Sequence, residues 1–297
     1  MSDHPRGHSV EISVVVPCYN EESAIGESLR SMTEWLQGSG EFEIVAVNDG
    51  STDRTKEILE ESVGHDACIR VVHHKHNQGY GAALKTGIRR ARGDLIAIID
   101  ADGTYPYDRL PDLIERARHA DMVVGARTGE NVTYSFIRKI PKLFLKSYMS
   151  WLAGQPIPDM NSGLRVFRKS AVEHFLKILP DTFSFTTTIT MAMMCNRYDV
   201  QFVPIDYMSR RGKSKIRPIH DTIRFAQLIL RTGMYFAPLR VLLPVVGFLF
   251  LGFVASICYD IIVLRNLTDK SVLMFMFTIN TAIFALLADM IDKRSSG

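Results

Sequence analysis

Five short runs of consecutive β-branched and aliphatic residues decide what this chain can become. EISVVVP, FEIVAVN, IRVVHH, DLIAIID and DMVVGA begin near Glu11, Phe42, Ile69, Asp94 and Asp121, and segments of helical period separate them. A continuous Val/Ile run, unlike an alternating one, has no face to offer water, so each strand must be covered on both sides. Strands of that kind alternating with helices make an α/β fold around a mostly parallel, Rossmann-like sheet. In such sheets ligands gather beyond the carboxyl ends of the strands. There the sequence changes character: PCYNEE follows the first run, NDGSTD the second, HNQGYG the third and DADG the fourth. Four polar motifs at four strand ends predict one crevice.

The fourth motif asks for a cation. Asp100 and Asp102 stand one residue apart at a strand tip, where two carboxylates repel each other unless positive charge lies in front of them. Hard oxygen ligands of this kind suit Mg2+ or Mn2+, which takes one or two carboxylates and completes its shell with water and substrate phosphate. A helix-capping role is the structural alternative for Asp102. NDGSTD suits a turn and helix cap as well as a ligand, and the glycines of HNQGYGAAL suit close approach of either a phosphate or another backbone. His73, His74 and His76 crowd together, yet neighbouring strand residues point to opposite faces, which argues against a shared metal.

The C-terminal part differs in kind. VLLPVVGFLFLGFVASICYDIIVL, Val241 to Leu264, carries one charge in 24 residues, enough at about 1.5 Å per residue to cross a hydrocarbon core of about 30 Å. After RNLTDK, a second span covers about 271–289, and the two form a helical hairpin. A buried core hairpin is the alternative, disfavoured because neither segment keeps a polar stripe for water. Asp260 and Asp289 fall near span ends and are expected at the interface. In IHDTIRFAQLILRTGMYF, before the spans, His220, Arg224, Gln227 and Arg231 share one helical face and Ile219, Ile223, Ala226 and Leu230 another. Such a helix lies either on the membrane surface or against the domain. The expected plan is therefore a cytosolic α/β domain over 1–218, an amphipathic juxtamembrane helix over 219–237 and a transmembrane hairpin over 238–297.

A net charge of +3 gives no argument for nucleic acid, and four cysteines without CxxC spacing suggest neither zinc nor a disulfide framework. MSDHPRGHSVEI lacks an apolar signal core. The expectation is a multi-pass membrane protein whose first unit and both termini are cytosolic, with RNLTDK outside.

Taken in order, VVVPCYNEE, VNDGSTD, HNQGYGAALKTGI, DADGTYP, DMNSGLRVFRK and RRGKSKIRP resemble the family-two inverting glycosyltransferases of GT-A fold. More narrowly they resemble the polyprenyl-phosphate glycosyltransferases, a group that includes dolichyl-phosphate mannose synthase and bacterial undecaprenyl-phosphate sugar transferases. The resemblance covers about Ile12 to Pro218. It implies a nucleotide-sugar donor (UDP- or GDP-linked), a polyprenyl phosphate acceptor (undecaprenyl or dolichyl phosphate), Mg2+ or Mn2+, and a lipid bilayer as partner. Pro17, Tyr19, Glu21 and Asp49 are then the contacts to base and ribose, Asn77, Gly79 and Gly81 line the donor, and Asp100 and Asp102 hold the metal. Arg127 and Arg138 would grip the lipid phosphate, Ser162 and Arg165 would face the acceptor, and Arg211, Ser214 and Lys215 would close a basic loop over the diphosphate. Where the dolichyl-phosphate mannose synthases commonly read DADLQHP, this chain reads DADGTYP, with Thr104 in place of a metal-ligating Gln. Neither a third metal ligand nor mannose is therefore implied. The chain has no QxxRW string of the processive synthases. A transferase with a non-lipid acceptor and a non-catalytic nucleotide-sugar-binding membrane scaffold are the alternatives, and a homo-oligomer is left open.

Overall fold

The computed structural model describes residues 10–128, 147–207, 227 and 230–295, with side chains to residue 291. They fall into two compact units, one drawn from residues 1–140 and 157–216, the other from 141–156 and 217–297.

In the first unit all five expected runs are strands: β1 (Ile12–Cys18), β2 (Phe42–Asn48), β3 (Ile69–His73), β4 (Leu95–Ile98) and β5 (Met122–Ala126). Every residue of β1, β4 and β5 is buried, as strands covered on both faces require. Two more strands, β6 (Arg165–Arg168) and β7 (Val200–Pro204), complete a seven-stranded sheet of order β3-β2-β1-β4-β6-β5-β7. β6 runs antiparallel to β4 and β5, and the other pairings are parallel. Its four residues, RVFR, begin and end in arginine, which hides the strand from any reading of apolar runs.

Helices cover both faces. α1 (Ile25–Leu36) and α4 (Leu110–Ala117) bring Leu29, Met32, Leu113 and Ile114 onto Ile12, Val14 and Val16. α2 (Thr55–His65) adds Leu59 to the same core. α3 (Tyr80–Arg90) lies on the opposite face, against Val15, at a position where Gly87 has no Cβ to collide with that side chain. The alternation of Val14, Val15 and Val16 between two helical layers is the period-two geometry of a strand. From β1 the chain builds outward to β2 and β3, then returns to place β4 on the other flank of β1. That reversal opens a crevice at the carboxyl ends of β1 and β4, where DADG begins.

The second unit contains α6 (Pro238–Tyr259), which runs on through a π-turn to Leu264, and α7 (Asp269–Ser295). Pro238–Leu264 and Asp269–Ile291 are long and apolar enough to cross a membrane, and only 6% and 17% of their most apolar stretches are buried. A soluble core hairpin would hide such surface; these helices leave Phe248, Ile262 and Phe284 outward. Asp260 is buried in the turn of the hairpin. Its Oδ2 accepts the Thr268 amide at 2.9 Å and the hydroxyls of Thr268 and Ser271 at 2.7 Å each. A buried carboxylate is tolerated when donors surround it, and here they clamp one helix to the other. Of the amphipathic segment, Gln227 and residues 230–236 are described; 231–236 are helical, with Phe236 buried and Leu230, Met234 and Tyr235 exposed.

Candidate active site

Two strand-end motifs interlock first. Asn20, in the left-handed region at φ 56°, accepts the Thr52 amide on its Oδ1 at 2.9 Å, while its own amide donates to Ser51 Oγ at 3.1 Å. The Glu21 amide donates to Thr55 Oγ1 at 2.9 Å, and Glu22 and Asp53 exchange contacts with the opposing loop. PCYNEE and NDGSTD therefore form one rigid rim. On it Pro17 is buried, Glu21 is half-buried and the Tyr19 ring is exposed.

Asp49 is the hub beneath that rim. Its carboxylate accepts the amides of Gln78 and Gly79 at 2.9 Å each and meets His74 Nδ1 at 2.7 Å. His74 Nε2 in turn meets Thr86 Oγ1 at 2.9 Å, whereas His73 Nδ1 accepts from Asn48 on the other side of the strand. Among the described residues no group of three or more His, Cys, Asp or Glu is placed to hold a metal. Gly50, at φ 69°, admits the backbone of His76 and Asn77, which any Cβ would strike. The Asp49 oxygens thus shape the HNQG loop.

The glycines of that loop serve the protein's own backbone. Gly81 and Ala82, at the start of α3, donate their amides to the Asp181 carbonyl at 3.0 and 3.2 Å. A Cβ at Gly79 would meet Asp181, and one at Gly81 would meet Pro180 and Thr182. Gly81 is buried, and Lys85 Nζ fixes the covering segment through Asp181 Oδ1 at 2.8 Å. The segment 180–182 occupies the space that their missing side chains leave, so on that side both glycines meet the protein's own backbone. Asn77 remains exposed.

At the end of β4, hydroxyls brace the two carboxylates. The Tyr80 hydroxyl donates to Asp100 Oδ1 at 2.8 Å, and the Thr104 hydroxyl donates to Asp102 Oδ1 at 2.6 Å. Burial first, and the Asp100 charge second, push the Tyr80 and Tyr105 phenols well above their ordinary values, so both stay protonated. Phe183, 80% exposed, stacks on Tyr80 with ring centroids 5.1 Å apart. On the other side the backbone of Gly163 comes so close that a Cβ there would strike the Asp100 carboxylate, and the Gly163 amide donates to the Tyr105 hydroxyl at 2.6 Å. The donor set fits a hard divalent cation: two carboxylates held in place by neutral hydroxyls, with open space over Gly103.

Beyond Gly163 lies a different chemistry. Arg127 donates through Nε and Nη2 to both oxygens of Asp159, at 2.7 and 3.0 Å, and its amide adds a third bond at 3.1 Å. The guanidinium also lies 5.2 Å over the Tyr207 ring. Burial alone would raise the Asp159 pKa, but the hydrogen bonds and charge of Arg127, with the Asn161 amide, hold it below the usual range. Arg165 does not face the crevice as expected. It is fully buried, bonded to the carbonyls of Ser162 and Thr186 and to Thr190 Oγ1 at 2.6 to 3.2 Å. Burial lowers its pKa to about 10, which leaves it charged. Ser162 is buried with it. Together they tie the NSG loop to the helix α5 (Phe185–Cys195) and so seat Gly163 against Asp100. Arg138, Arg211, Ser214 and Lys215 lie outside the described residues.

Sequence reasoning passed over Tyr80, Thr104 as a brace, Tyr105, Asp159 and Phe183. Asp159 had a signal, since it stands inside the quoted DMNSGLR, but its partner lies across 32 residues.

The likeness of this chain to known proteins is one of family and fold. The model of the family described as glycosyl transferase family 2 matches residues 13–176. An undecaprenyl-phosphate 4-deoxy-4-formamido-L-arabinose transferase of Pseudomonas paraeruginosa is 37% identical over 167 residues, 56% of this chain and 49% of the relative. The protein of that name from Pseudomonas fluorescens is 30% identical over 265 residues, 86% of this chain and 74% of its own. The chain spans about half the length of the first of these relatives. Among solved structures, glucosyl-3-phosphoglycerate synthase of Mycobacterium tuberculosis in complex with UDP superposes with a TM-score of 0.59 at 18% identity, over 75% of this chain and 80% of that one, a likeness of fold. The same synthase has been crystallised with Mn2+ and UDP-glucose.

Proposed function

The chain belongs to glycosyl transferase family 2, and from that footing we propose that it moves a sugar from a UDP- or GDP-linked donor to a polyprenyl phosphate at the cytosolic face of a membrane, inverting the anomeric carbon. The observation that carries this reading is the meeting of two chemistries at Asp100: hydroxyl-braced carboxylates just beyond β4 and, through Gly163 and Tyr105, the neighbourhood of the Arg127–Asp159 pair. The membrane-length hairpin and the relatives named for undecaprenyl phosphate support the acceptor.

On this reading Tyr19 and Glu21, on the interlocked rim, receive the base and ribose, while Asp49 shapes the floor beneath them. Asp100 and Asp102 would hold Mg2+ or Mn2+, whose charge would stabilise the departing nucleoside diphosphate. Phe183 offers its exposed ring to the apolar face of the sugar. Arg127, aimed by Asp159, binds the acceptor phosphate, with Arg138 beside it; Arg211, Ser214 and Lys215 close over the diphosphate. A hydroxyl acceptor would need a base to take its proton. Asp159 is a weak base, because it accepts four hydrogen bonds and its pKa is held down. A phosphate monoester needs none, since its second pKa of about 6 leaves it mostly a dianion at neutral pH. The chain divides accordingly into a transferase unit over 1–218, a juxtamembrane helix over 219–237 and a hairpin over 238–297 whose turn faces away from the cytosol.

The test is direct. Purified full-length protein with undecaprenyl phosphate, a panel of UDP- and GDP-sugars and Mg2+ or Mn2+ should yield a polyprenyl-phosphate sugar of inverted anomeric configuration, detected by mass spectrometry and NMR. Transfer to a soluble hydroxyl acceptor with the lipid phosphate ignored would overturn the reading.

A further inference from the structure

Between Asp159, which holds Arg127, and Gly163, which touches Asp100, one exposed side chain stands out, that of Asn161. Its backbone amide donates to Asp159 Oδ1 at 3.0 Å. Two residues on, the Gly163 backbone lies against the Asp100 carboxylate. Asn161 is therefore close in the chain to both halves of the proposed site. Transfer needs the sugar at that junction, because the anomeric carbon must sit between the departing diphosphate at the carboxylates and the attacking phosphate at Arg127.

The orientation of Asn161 is set from behind. Thr187, 1% exposed in α5, donates its hydroxyl to Asn161 Oδ1 at 2.5 Å. A helical threonine ordinarily bonds a carbonyl of its own helix, as Thr190 does with Thr186 at 2.8 Å. Thr187 instead reaches across 26 residues to the NSG loop. A carboxamide has one acceptor oxygen and two N–H donors. With Oδ1 engaged by a buried hydroxyl, Nδ2 keeps both hydrogens to offer, and it has no partner among the described residues. An exposed amide held in this way is preorganised for a ligand, since much of its freedom is lost before binding.

The start of α5 also brings an aromatic ring. The Phe183 carbonyl accepts from the Thr186 hydroxyl at 3.4 Å, and its ring stacks on Tyr80, whose own hydroxyl bonds Asp100. One helix start thus carries an apolar platform and the brace of an oriented amide. Apolar surface with a few placed polar groups is how sites for small molecules gain both affinity and selectivity.

We propose that Asn161 is a specificity-determining residue, its Nδ2 donating to one hydroxyl of the donor sugar. This rests on the transferase reading above and deepens it: the Phe183 ring accepts a sugar face whatever the configuration of its hydroxyls, and Asn161 reads one of them.

The test compares donors on full-length protein with undecaprenyl phosphate and Mn2+. The best nucleotide-sugar of the panel is set beside its singly deoxygenated analogues, on wild type, Asn161→Ala and Thr187→Val. In wild type one deoxy donor should lose roughly three- to tenfold in kcat/KM, the range of one neutral hydrogen bond. In Asn161→Ala that penalty should vanish, because the complete donor falls by the same factor, while calorimetric affinity for UDP or GDP is unchanged. Thr187→Val, which keeps Asn161 but frees its rotamer, should reduce the penalty in part. The double variant Asn161→Ala/Thr187→Val leaves no buried hydroxyl without an acceptor and repeats the test if the single variant folds poorly. If every deoxy donor is penalised alike in wild type and Asn161→Ala, the inference is overturned while the transferase reading stands. It is equally overturned if Asn161→Ala raises the requirement for lipid phosphate by one factor with all donors, which would place the amide at the acceptor. If wild type transfers no sugar to the lipid, the transferase reading fails and takes the inference with it.

Discussion

The two sides of the crevice are held together in different ways. Around β1, β2 and β3, side chains bond the backbone of neighbouring loops: Asn20 with Ser51 and Thr52, Glu21 with Thr55, and Asp49 with Gln78 and Gly79. Around β5 and β6 the ties are charged, Arg127 to Asp159 across 32 residues and Arg165 to carbonyls as far as Thr186. Bonds from side chain to backbone, those of the Asp49 carboxylate among them, make a rigid rim of the kind that the proposed donor would need. A guanidinium gripped on one edge by a carboxylate has a fixed plane, which on the proposed reading positions it for an anionic head group. If the two sides are the donor and acceptor halves proposed above, mutations should separate them.

The largest effect is expected at Asp102. Asp102→Asn should leave the fold intact and lower turnover by about 10² to 10³, the typical cost of losing one charge-stabilising contact at a reacting centre. Near wild-type rates at saturating Mn2+, measured by glycolipid formation, would remove Asp102 from the metal site. Next comes Arg127→Ala. Charge-assisted contacts contribute about 1.5 to 3 kcal/mol, so the variant should need roughly ten to a hundred times more polyprenyl phosphate for half-maximal turnover.

Arg165→Met tests whether the buried arginine is a clamp. Leaving the Ser162 and Thr186 carbonyls without their donor should cost about 1 to 3 kcal/mol, and in a domain of this size about 2 to 4 °C of melting temperature per kcal/mol. A variant of unchanged stability that no longer uses the lipid would place Arg165 at the acceptor after all. The smallest effect concerns acid. Because Arg127 holds the Asp159 pKa below its unfolded value of about 3.9, that pair's contribution is complete at neutral pH and is lost as pH falls through the lowered value. Thermal melts should show no loss from this source between about pH 7 and pH 5, and below about pH 4 Asp159→Asn should show a shallower decline than wild type.

The difference between the halves also explains what could be read without coordinates. Continuous Val/Ile runs announced β1 to β5, and motifs whose members lie a few residues apart announced the strand ends. β6 and the Arg127–Asp159 pair were silent because their meaning depends on partners distant in the chain. The glycines of HNQGYG were visible, but not their use: local sequence cannot tell a phosphate from the carbonyl of Asp181 as the group that comes close. Arg127 and Arg165 look alike in sequence, and only burial separates an arginine at the crevice from one inside the protein.

One measurement tests the division most directly: calorimetric titration of UDP and GDP, with and without Mn2+, into wild type, Asp102→Asn and Arg127→Ala, all full-length in the same detergent. The account predicts that one nucleotide binds more tightly with Mn2+ to wild type, that Asp102→Asn loses this metal dependence, and that Arg127→Ala keeps both affinity and metal dependence. Metal-dependent binding that survives in Asp102→Asn but collapses in Arg127→Ala would contradict it, and would move Arg127 to the diphosphate.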